Sequence, residues 1–452
     1  MDYISNNVGS IVVDDVKTRP FKWIEKLGVS CMYFEHIHVE NFRGIESMEL
    51  DFKPGVNILI GDNGTGKTTV LEALTVALGG YLKGIQNLTA RGLLQDDFRW
   101  SMVNLAGASR QVKYYAPKIE FELNINGNSL HGMRSRSDRD GSTKTITRCT
   151  EIQKAAMEMA NDESSNLPLL SYMSISRVTL TKRSDFGKTA KNQLNDRRSG
   201  YIGCLESTID KASILEWFKK ISYESILHNK NMPEWKLFQK TVAMIMKEVN
   251  ELDELPQVYY SSSIEDIAYV ENGKIQPISI LSSGYQSLLW MAMDFAFRLA
   301  LLNPELQSPE EAVGIIIIDE IDMHLHPKWQ WNALKSFSKT FPKIQFIIAT
   351  HAPIIIASGK GANLIQLTES GEPRYLEDAY AYSVNSVLES RQNSTGVLKE
   401  LRDEISKFDQ LLNEGRITEA KDELHLMERL FGYHNTEVVE ARTEYELETL
   451  TE

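Results

Sequence analysis

Cysteine is scarce: Cys31, Cys149 and Cys204 are the three among 452 residues, far apart and forming no Cys-x-x-Cys pair. That argues against a disulfide framework or a cysteine-based zinc site and fits a reducing compartment. No apolar run approaches the roughly 18–20 residues that a membrane span needs. The opening residues, MDYISNNVGSIVVDDVKTRP, lack the basic start and apolar core of a secretory signal. A soluble, cytoplasmic protein is expected. Internal repeats and long heptad runs are also missing, which argues against a solenoid or an extended coiled coil.

Positive charge is in deficit. Lysine and arginine number 49 against 62 acidic residues, a formal net charge of −13. This argues against a protein whose whole surface grips nucleic acid. The charge is unevenly spread: Val397 to Glu452 holds 7 basic and 15 acidic residues, whereas His131 to Ser199 holds 13 basic and 8 acidic. At 42% hydrophobic and 25% charged residues the composition is that of a globular chain. The length suits one large domain with insertions or two to three ordinary ones.

Residues 1–32 read as a polar extension with a short helix around Phe21–Lys26. From Tyr33, YFEHIHVENF alternates apolar and polar residues like a half-buried strand, and Met48–Phe52 repeats the pattern. Val56–Ile60 is continuously apolar, as in a strand buried on both faces. A glycine-rich turn and a helical pattern over Lys67–Leu78 follow. That is the strand–loop–helix order of a parallel α/β sheet. Residues 33–150 form the first part of this core. Residues 151–256 read as a mainly helical insertion, with Ile214, Trp217, Phe218 and Ile221 on one helix face. The core resumes over 257–385, with an apolar helix at Ser287–Leu302, buried strands at Gly314–Ile318 and Ile344–Ala349, and a last strand between Gly361 and Gly371. Residues 386–452 form an acidic helical arm. Leu398, Leu401, Ile405, Phe408 and Leu411 make one stripe; Ile417, Ala420, Leu424, Met427 and Leu430 make a second, across a turn at Asn413-Glu-Gly415. Such a hairpin serves either as a packing cap or as a docking arm for a partner.

Chemistry is concentrated in four places. Gly61-Asp-Asn-Gly-Thr-Gly66-Lys67-Thr68 matches GxxxxGK[ST] between a buried strand and a helix. Its glycines let backbone N–H groups turn toward phosphate oxygens, Lys67 reaches the β- and γ-phosphates, and the Thr68 hydroxyl suits Mg²⁺. Ile315–Ile318 then delivers Asp319 and Glu320 to the same sheet edge, one carboxylate for Mg²⁺ and one to orient and deprotonate a water. Leu281-Ser-Ser-Gly-Tyr-Gln286 precedes an apolar helix and, alone, reads as a capping turn. Phe346-Ile-Ile-Ala-Thr-His351 is a buried strand ending in histidine, which alone is more often structural than catalytic. His324 and His326 form a weak candidate metal pair. The basic runs near Arg134–Arg148 and Lys182–Arg198 leave room for nucleic-acid contact, although aromatics are not interleaved with them.

The order of these four motifs resembles an ABC-type ATPase head: Walker A, signature, Walker B with its glutamate, and switch histidine. Asn41-Phe-Arg43-Gly is similar to the opening strand of SMC, Rad50, RecF and OLD-like heads. Asp319-Glu-Ile-Asp322-Met-His-Leu-His326-Pro also looks like those heads rather than a transporter subunit. The resemblance implies an α/β fold with a mixed central sheet, a mainly helical insertion and a C-terminal helical hairpin. It implies ATP and Mg²⁺ as cofactors. Arg43, Asn63, Gly64, Gly66, Lys67, Thr68 and Thr69 would hold the nucleotide, Thr68 and Asp319 the metal, and Glu320 and His351 would serve hydrolysis. Ser282, Ser283 and Gly284 would contact the γ-phosphate held by another protomer, so a homodimer or higher homo-oligomer is implied. The signature departs from LSGGQ, with Ser283 in place of the first glycine, and Gln95 and Gln86 compete for the glutamine-loop position.

Leu167-Pro-Leu-Leu-Ser-Tyr172, Arg198-Ser-Gly-Tyr201, Leu215-Glu-Trp217-Phe and the acidic arm narrow the resemblance. They look like the compact bacterial ATPases that include PtuA of Septu and some retron anti-phage systems. That branch pairs with PtuB, an HNH-type nuclease. The expected function is therefore ATP hydrolysis that controls an associated nuclease during phage infection. The alternative is a standalone RecF- or SMC-like DNA repair or maintenance ATPase, and a transporter's cytoplasmic subunit is a weaker third reading.

Overall fold

Alternating burial along Met32–Phe42 makes β1 the middle of an antiparallel sheet, with Phe34, Ile37, Val39 and Phe42 turned inward. In the computed structural model the described residues are 31–104, 110–141, 144–174, 196–206, 209–228, 232–368, 370–392 and 398–450. Residues 1–30 of the expected N-terminal extension, including the helix expected around Phe21–Lys26, and most of the basic run Lys182–Arg198 lie outside them. The described chain divides into two compact units, one ending at Ala381 and one beginning at Tyr382.

In the larger unit β1 is followed by β2 (Ile45–Asp51), β3 (Val56–Ile60) and helix α1 (Lys67–Leu82). A two-stranded ribbon, β4 (Arg99–Asn104) and β5 (Arg110–Tyr115), precedes β6 (Lys118–Ile125), β7 (Asn128–Ser135), β8 (Ile146–Arg148) and α2 (Thr150–Asn161). The antiparallel sheet runs β2-β1-β6-β7-β8. Next come β9 (Leu169–Met173), α3 (Lys211–His228) and α4 (Pro233–Asn250), then the small sheet β10 (Gln257–Ser261), β11 (Asp266–Glu271) and β12 (Lys274–Pro277). Helix α5 (Ser283–Leu302), β13 (Val313–Ile318), α6 (Pro327–Thr340), β14 (Lys343–Ala349), α7 (Pro353–Ser358), β15 (Asn363–Gln366) and β16 (Arg374–Leu376) complete the unit.

The central sheet has the order β16-β15-β3-β14-β13-β9, parallel throughout except for the β15–β16 pair. Its middle strands β3, β14 and β13 are almost wholly buried, which explains their mainly apolar sequences; Asn57 in β3, expected as part of a continuous apolar run, and Gln345 in β14 are buried polar exceptions. β9 departs from the expected helical insertion. Leu169–Met173 is buried at every position and pairs in parallel with β13, Tyr172 opposite Ile317. The insertion therefore lends one strand to the core.

Helix α1 lies between the two sheets, against β1, β6 and β7 on one side and β14 on the other. Burial all round explains its lack of a polar face. Gly79 and Gly80 admit the side chain of Arg134 from β7: a Cβ on Gly79 would lie 2.4 Å from an Arg134 guanidinium nitrogen. Arg134 is fully buried and donates to the carbonyls of Val76 and Arg91. Burial lowers its pKa to about 10. Gln345 ties the sheets together, accepting from Phe34 N at 2.8 Å and donating to Phe34 O at 2.9 Å.

The smaller unit contains α8 (Val384–Gln392), α9 (Lys399–Asn413), α10 (Ile417–Phe431) and α11 (Thr436–Leu450). The two expected stripes meet through Leu401, Phe408, Leu411, Ala420, Leu424 and Met427. Val438 and Ala441 of α11 join them, so a third helix completes the hairpin. Leu398 and Leu430, expected inside, are 70% and 61% exposed.

Candidate functional site

β3 ends where the glycine loop begins, and α1 starts at Lys67 with Gly66 as its N-cap at φ 96°. Gly61 and Gly64 also have positive φ, 145° and 88°. At Gly61 a side chain is doubly excluded, since its Cβ would sit 2.5 Å from the Leu367 carbonyl oxygen. Asn63 and Gly64 form the exposed crest of the loop, with Thr69 half-buried in the first helical turn. Lys67 is buried, and its Nζ donates to the carbonyls of Gly61 at 2.7 Å and Asp62 at 3.0 Å. The ammonium is thus folded back along the loop. Burial lowers its pKa against the opposing pull of Glu320, Asp319 and Asp62.

Asp319 follows β13 directly and is 1% exposed. Its Oδ2 accepts a hydrogen bond from Thr68 Oγ1 at 2.9 Å, across 251 residues of sequence. Its backbone N–H donates to Met173 O at 2.7 Å, so β9 braces the end of β13. Neither Gln95 nor Gln86 lies on β9, and both are exposed. A hydroxyl and a carboxylate oxygen this close are a hard-oxygen pair suited to Mg²⁺. Glu320 adopts φ 46° and His324 φ 67°, conformations that turn the chain sharply after the strand.

His351 follows β14, the strand between β3, which leads into the glycine loop, and β13. Burial, then the Lys67 charge, lower its pKa, and Glu320, Asp322 and Asp62 oppose that shift. The chain beside His351 is held by Thr350 and Asp322, two motif positions to which the sequence reading gave no role. Thr350 is fully buried, its Oγ1 donates to Asp322 Oδ1, and it accepts from Ala352 N at 3.0 Å. Tyr172, beside Asp319, is also new; burial and that carboxylate raise the pKa of its hydroxyl. Both stand in motifs quoted from the sequence, but their roles were not legible there because their partners are distant along the chain.

Arg43, at φ 52°, donates from Nε to Asp97 Oδ1 at 3.0 Å and pairs with Glu72 of α1. Arg91 joins the cluster 3.5 Å from Glu72. Arg43 therefore stands beside the helix that begins at the glycine loop. Ser282 caps α5 by accepting from Tyr285 N at 3.4 Å, and Ser282 and Ser283 remain exposed. Gly284 is buried: a Cβ there would lie 2.1 Å from the His324 carbonyl oxygen. Tyr285 packs edge-on against Trp329 at 5.2 Å and accepts from Asn250 at 2.8 Å. His326 caps α6 through Lys328 N at 3.3 Å.

A family model described as an AAA domain matches residues 36–255, and a second AAA-domain model matches residues 206–357. These matches mark the chain as an ATPase. Among its relatives, the ATPase is 25% identical to "Retron Vc95 probable ATPase" of Vibrio cholerae over 67% of this chain and 66% of that protein. It is 27% identical to "Retron Ec83 probable ATPase" of Escherichia coli over 74% of this chain and 71% of that one. "Septu protein PtuA" of Bacillus thuringiensis is 22% identical over 74% and 76%. The aligned part thus spans about two thirds of the retron relatives. The ATPase is also similar to the solved SMC head domain from Thermotoga maritima, at TM-score 0.42 and 15% identity over 76% of this chain and 98% of that one. Among its described residues, no helix is long and apolar enough to cross a membrane.

Proposed function

We propose that this ATPase is the regulatory subunit of an anti-phage defence complex, a nucleotide-sandwich dimer that controls an associated HNH nuclease. The observation that carries the reading is the Thr68–Asp319 hydrogen bond, which joins the glycine loop to the end of β13 with Lys67 alongside. The retron and Septu relatives support the defence setting.

In this reading the loop amides from Asn63 to Thr69 and the Lys67 ammonium hold the phosphates, and Arg43 stands beside them. Thr68 and Asp319 would hold Mg²⁺, which would supply neutralisation of phosphate charge. Glu320 orients the attacking water and takes its proton. His351, held neutral by burial and by Lys67, donates a hydrogen bond to the γ-phosphate. Ser282, Ser283 and Gly284 face the nucleotide of a second protomer, so bound ATP biases an open or a closed dimer and the partner reads that state.

The test is a pull-down of tagged Glu320→Gln protein expressed beside its own neighbouring genes. A near-stoichiometric HNH nuclease in the eluate supports the reading, and elution of the ATPase alone removes the partner. Trapped ATP-bound dimers are expected from the same variant. Unchanged turnover would take Glu320 out of the catalytic role.

A further inference from the structure

The ribbon β4–β5 forms a sheet of its own among the described residues. Its register sets Trp100 opposite Tyr114 and Met102 opposite Val112, so these four side chains share one face. All four are exposed, at 59%, 41%, 60% and 45%. An isolated two-stranded ribbon is marginal in water, and a contiguous exposed apolar face on it marks a binding surface rather than a packing surface.

The charges around this face indicate what it binds. Residues 99–115 contain three basic residues and no acidic one, in a chain of net charge −13. Residues 134–148 add five basic against two acidic. The fold brings these segments together: the Arg139 guanidinium lies 4.1 Å over the Tyr114 ring, on the same face as Trp100. On the opposite face Arg99 and Lys113 lie 5.0 and 4.9 Å over Tyr115. Arg99 is offset by Glu46 and Arg139 by Asp140. Arg136 donates to the carbonyls of Leu93, Asp138 and Arg139 and lies 5.8 Å over the Phe98 ring, and among the described residues no carboxylate pairs with it. The sequence had shown a basic run without interleaved aromatics; the aromatics come from a strand pair some 30 residues earlier, as Tyr114 and Arg139 illustrate.

We infer that this ribbon is a binding surface for single-stranded nucleic acid, with bases stacked on Trp100 and Tyr114 and phosphates drawn to Arg136 and Arg139. Aromatic faces accept any base, and cations alongside follow the backbone. The surface is tied to the nucleotide site. β4 begins two residues after Asp97, whose carbonyl accepts from Arg43 N at 2.9 Å, and Phe42 bridges to Phe98. A strand seated on the ribbon thus lies one hydrogen-bonded step from Arg43, Glu72 and α1.

The test is fluorescence anisotropy of a labelled oligothymidylate of roughly 20 nucleotides with the full chain, at about 50 mM and 200 mM salt and without ATP. Binding is expected at the lower salt and weakening at the higher. The double variant Trp100→Ala/Tyr114→Ala should bind at least tenfold more weakly, with its unfolding temperature unchanged because both side chains are exposed. Arg139→Ala should flatten the salt dependence. Equal affinity of the double variant and the parent overturns the inference, as does absence of binding at the lower salt. A variant that binds the oligomer normally but loses self-association in sedimentation overturns it in favour of a protein contact. Because the assay contains no nucleotide, its outcome is separate from that of the pull-down.

Discussion

Replacing Thr68 with valine keeps the side chain's shape and removes its hydroxyl. Asp319 then loses the donor 2.9 Å from its Oδ2 while remaining 1% exposed. A hydrogen bond to a charged group contributes about 1.5–3 kcal/mol, so without ATP the variant should lose about 2 kcal/mol. At about 2.1 cal/mol/K of unfolding entropy per residue, a unit of this size should melt roughly 3 °C lower. The second effect is larger. Mg²⁺–ATP at 100 times its dissociation constant stabilises the parent by about 2.7 kcal/mol. If Thr68 is a metal ligand, valine should cut that increment below about 1 kcal/mol at the same ligand concentration. Thr68→Ser retains the hydroxyl and should keep the increment. Calorimetric scans of the three proteins, each with EDTA and with Mg²⁺–ATP, separate the two effects. An undiminished increment in the valine variant refutes the metal role of Thr68. An unchanged melting temperature in EDTA refutes the energetic argument for the hydrogen bond.

Gly284→Ala places a Cβ 2.1 Å from the His324 carbonyl, so the backbone must shift; urea unfolding should show a loss of about 1–3 kcal/mol, and no loss would contradict the close approach. The pKa of His351 is lowered below its ordinary 6.5 first by burial and then by Lys67, so its NMR titration midpoint should fall below 6.5 and rise in Lys67→Met. Because the folded chain takes up that proton less readily than the unfolded one, His351 adds stability that is lost as pH falls through its folded midpoint. A midpoint at or above 6.5 would remove the argument for a neutral imidazole. At Arg134, methionine should cost no more than about 2 kcal/mol, since it fills the space and relieves a buried charge. Alanine there should cost about 3–5 kcal/mol through the cavity it leaves. Equal losses in thermal unfolding would show that the guanidinium's hydrogen bonds, not its volume, hold α1.

The glycine loop was legible in sequence because its chemistry needs contiguous residues in one order. β13 was legible because Ile315–Ile318 is buried on both faces. Lys67 and Asp319, far apart in the chain, could be put at one sheet edge from strand–loop–helix logic alone. β9 escaped because five buried residues amid helical segments do not declare which neighbour buries them. Helix α11 escaped because it gives only Val438 and Ala441, with Tyr445 beside them, to its unit's core, too few for a stripe. The Thr350–Asp322 contact spans 28 residues and has no periodic signature. The aromatic ribbon was hidden for a related reason: its stacking residues and its cations belong to different segments.

The fit of Arg134 into the notch at Gly79 and Gly80 has an evolutionary consequence. Two glycines inside a helix cost it about 1 kcal/mol each, so nothing local favours keeping them. At Gly79 a Cβ would meet the Arg134 guanidinium at 2.4 Å and the Arg91 carbonyl oxygen at 2.6 Å, and at Gly80 it would meet Cys149 Sγ at 2.9 Å. The positions should therefore change together across diverging lineages. A larger residue at position 79 should be inherited only with a smaller one at 134 and a shifted backbone at 91, and a larger one at 80 only with a smaller one at 149. The end of the helix that begins at the nucleotide loop would then carry a record of its own history, written as a size exchange between two sheets' worth of packing.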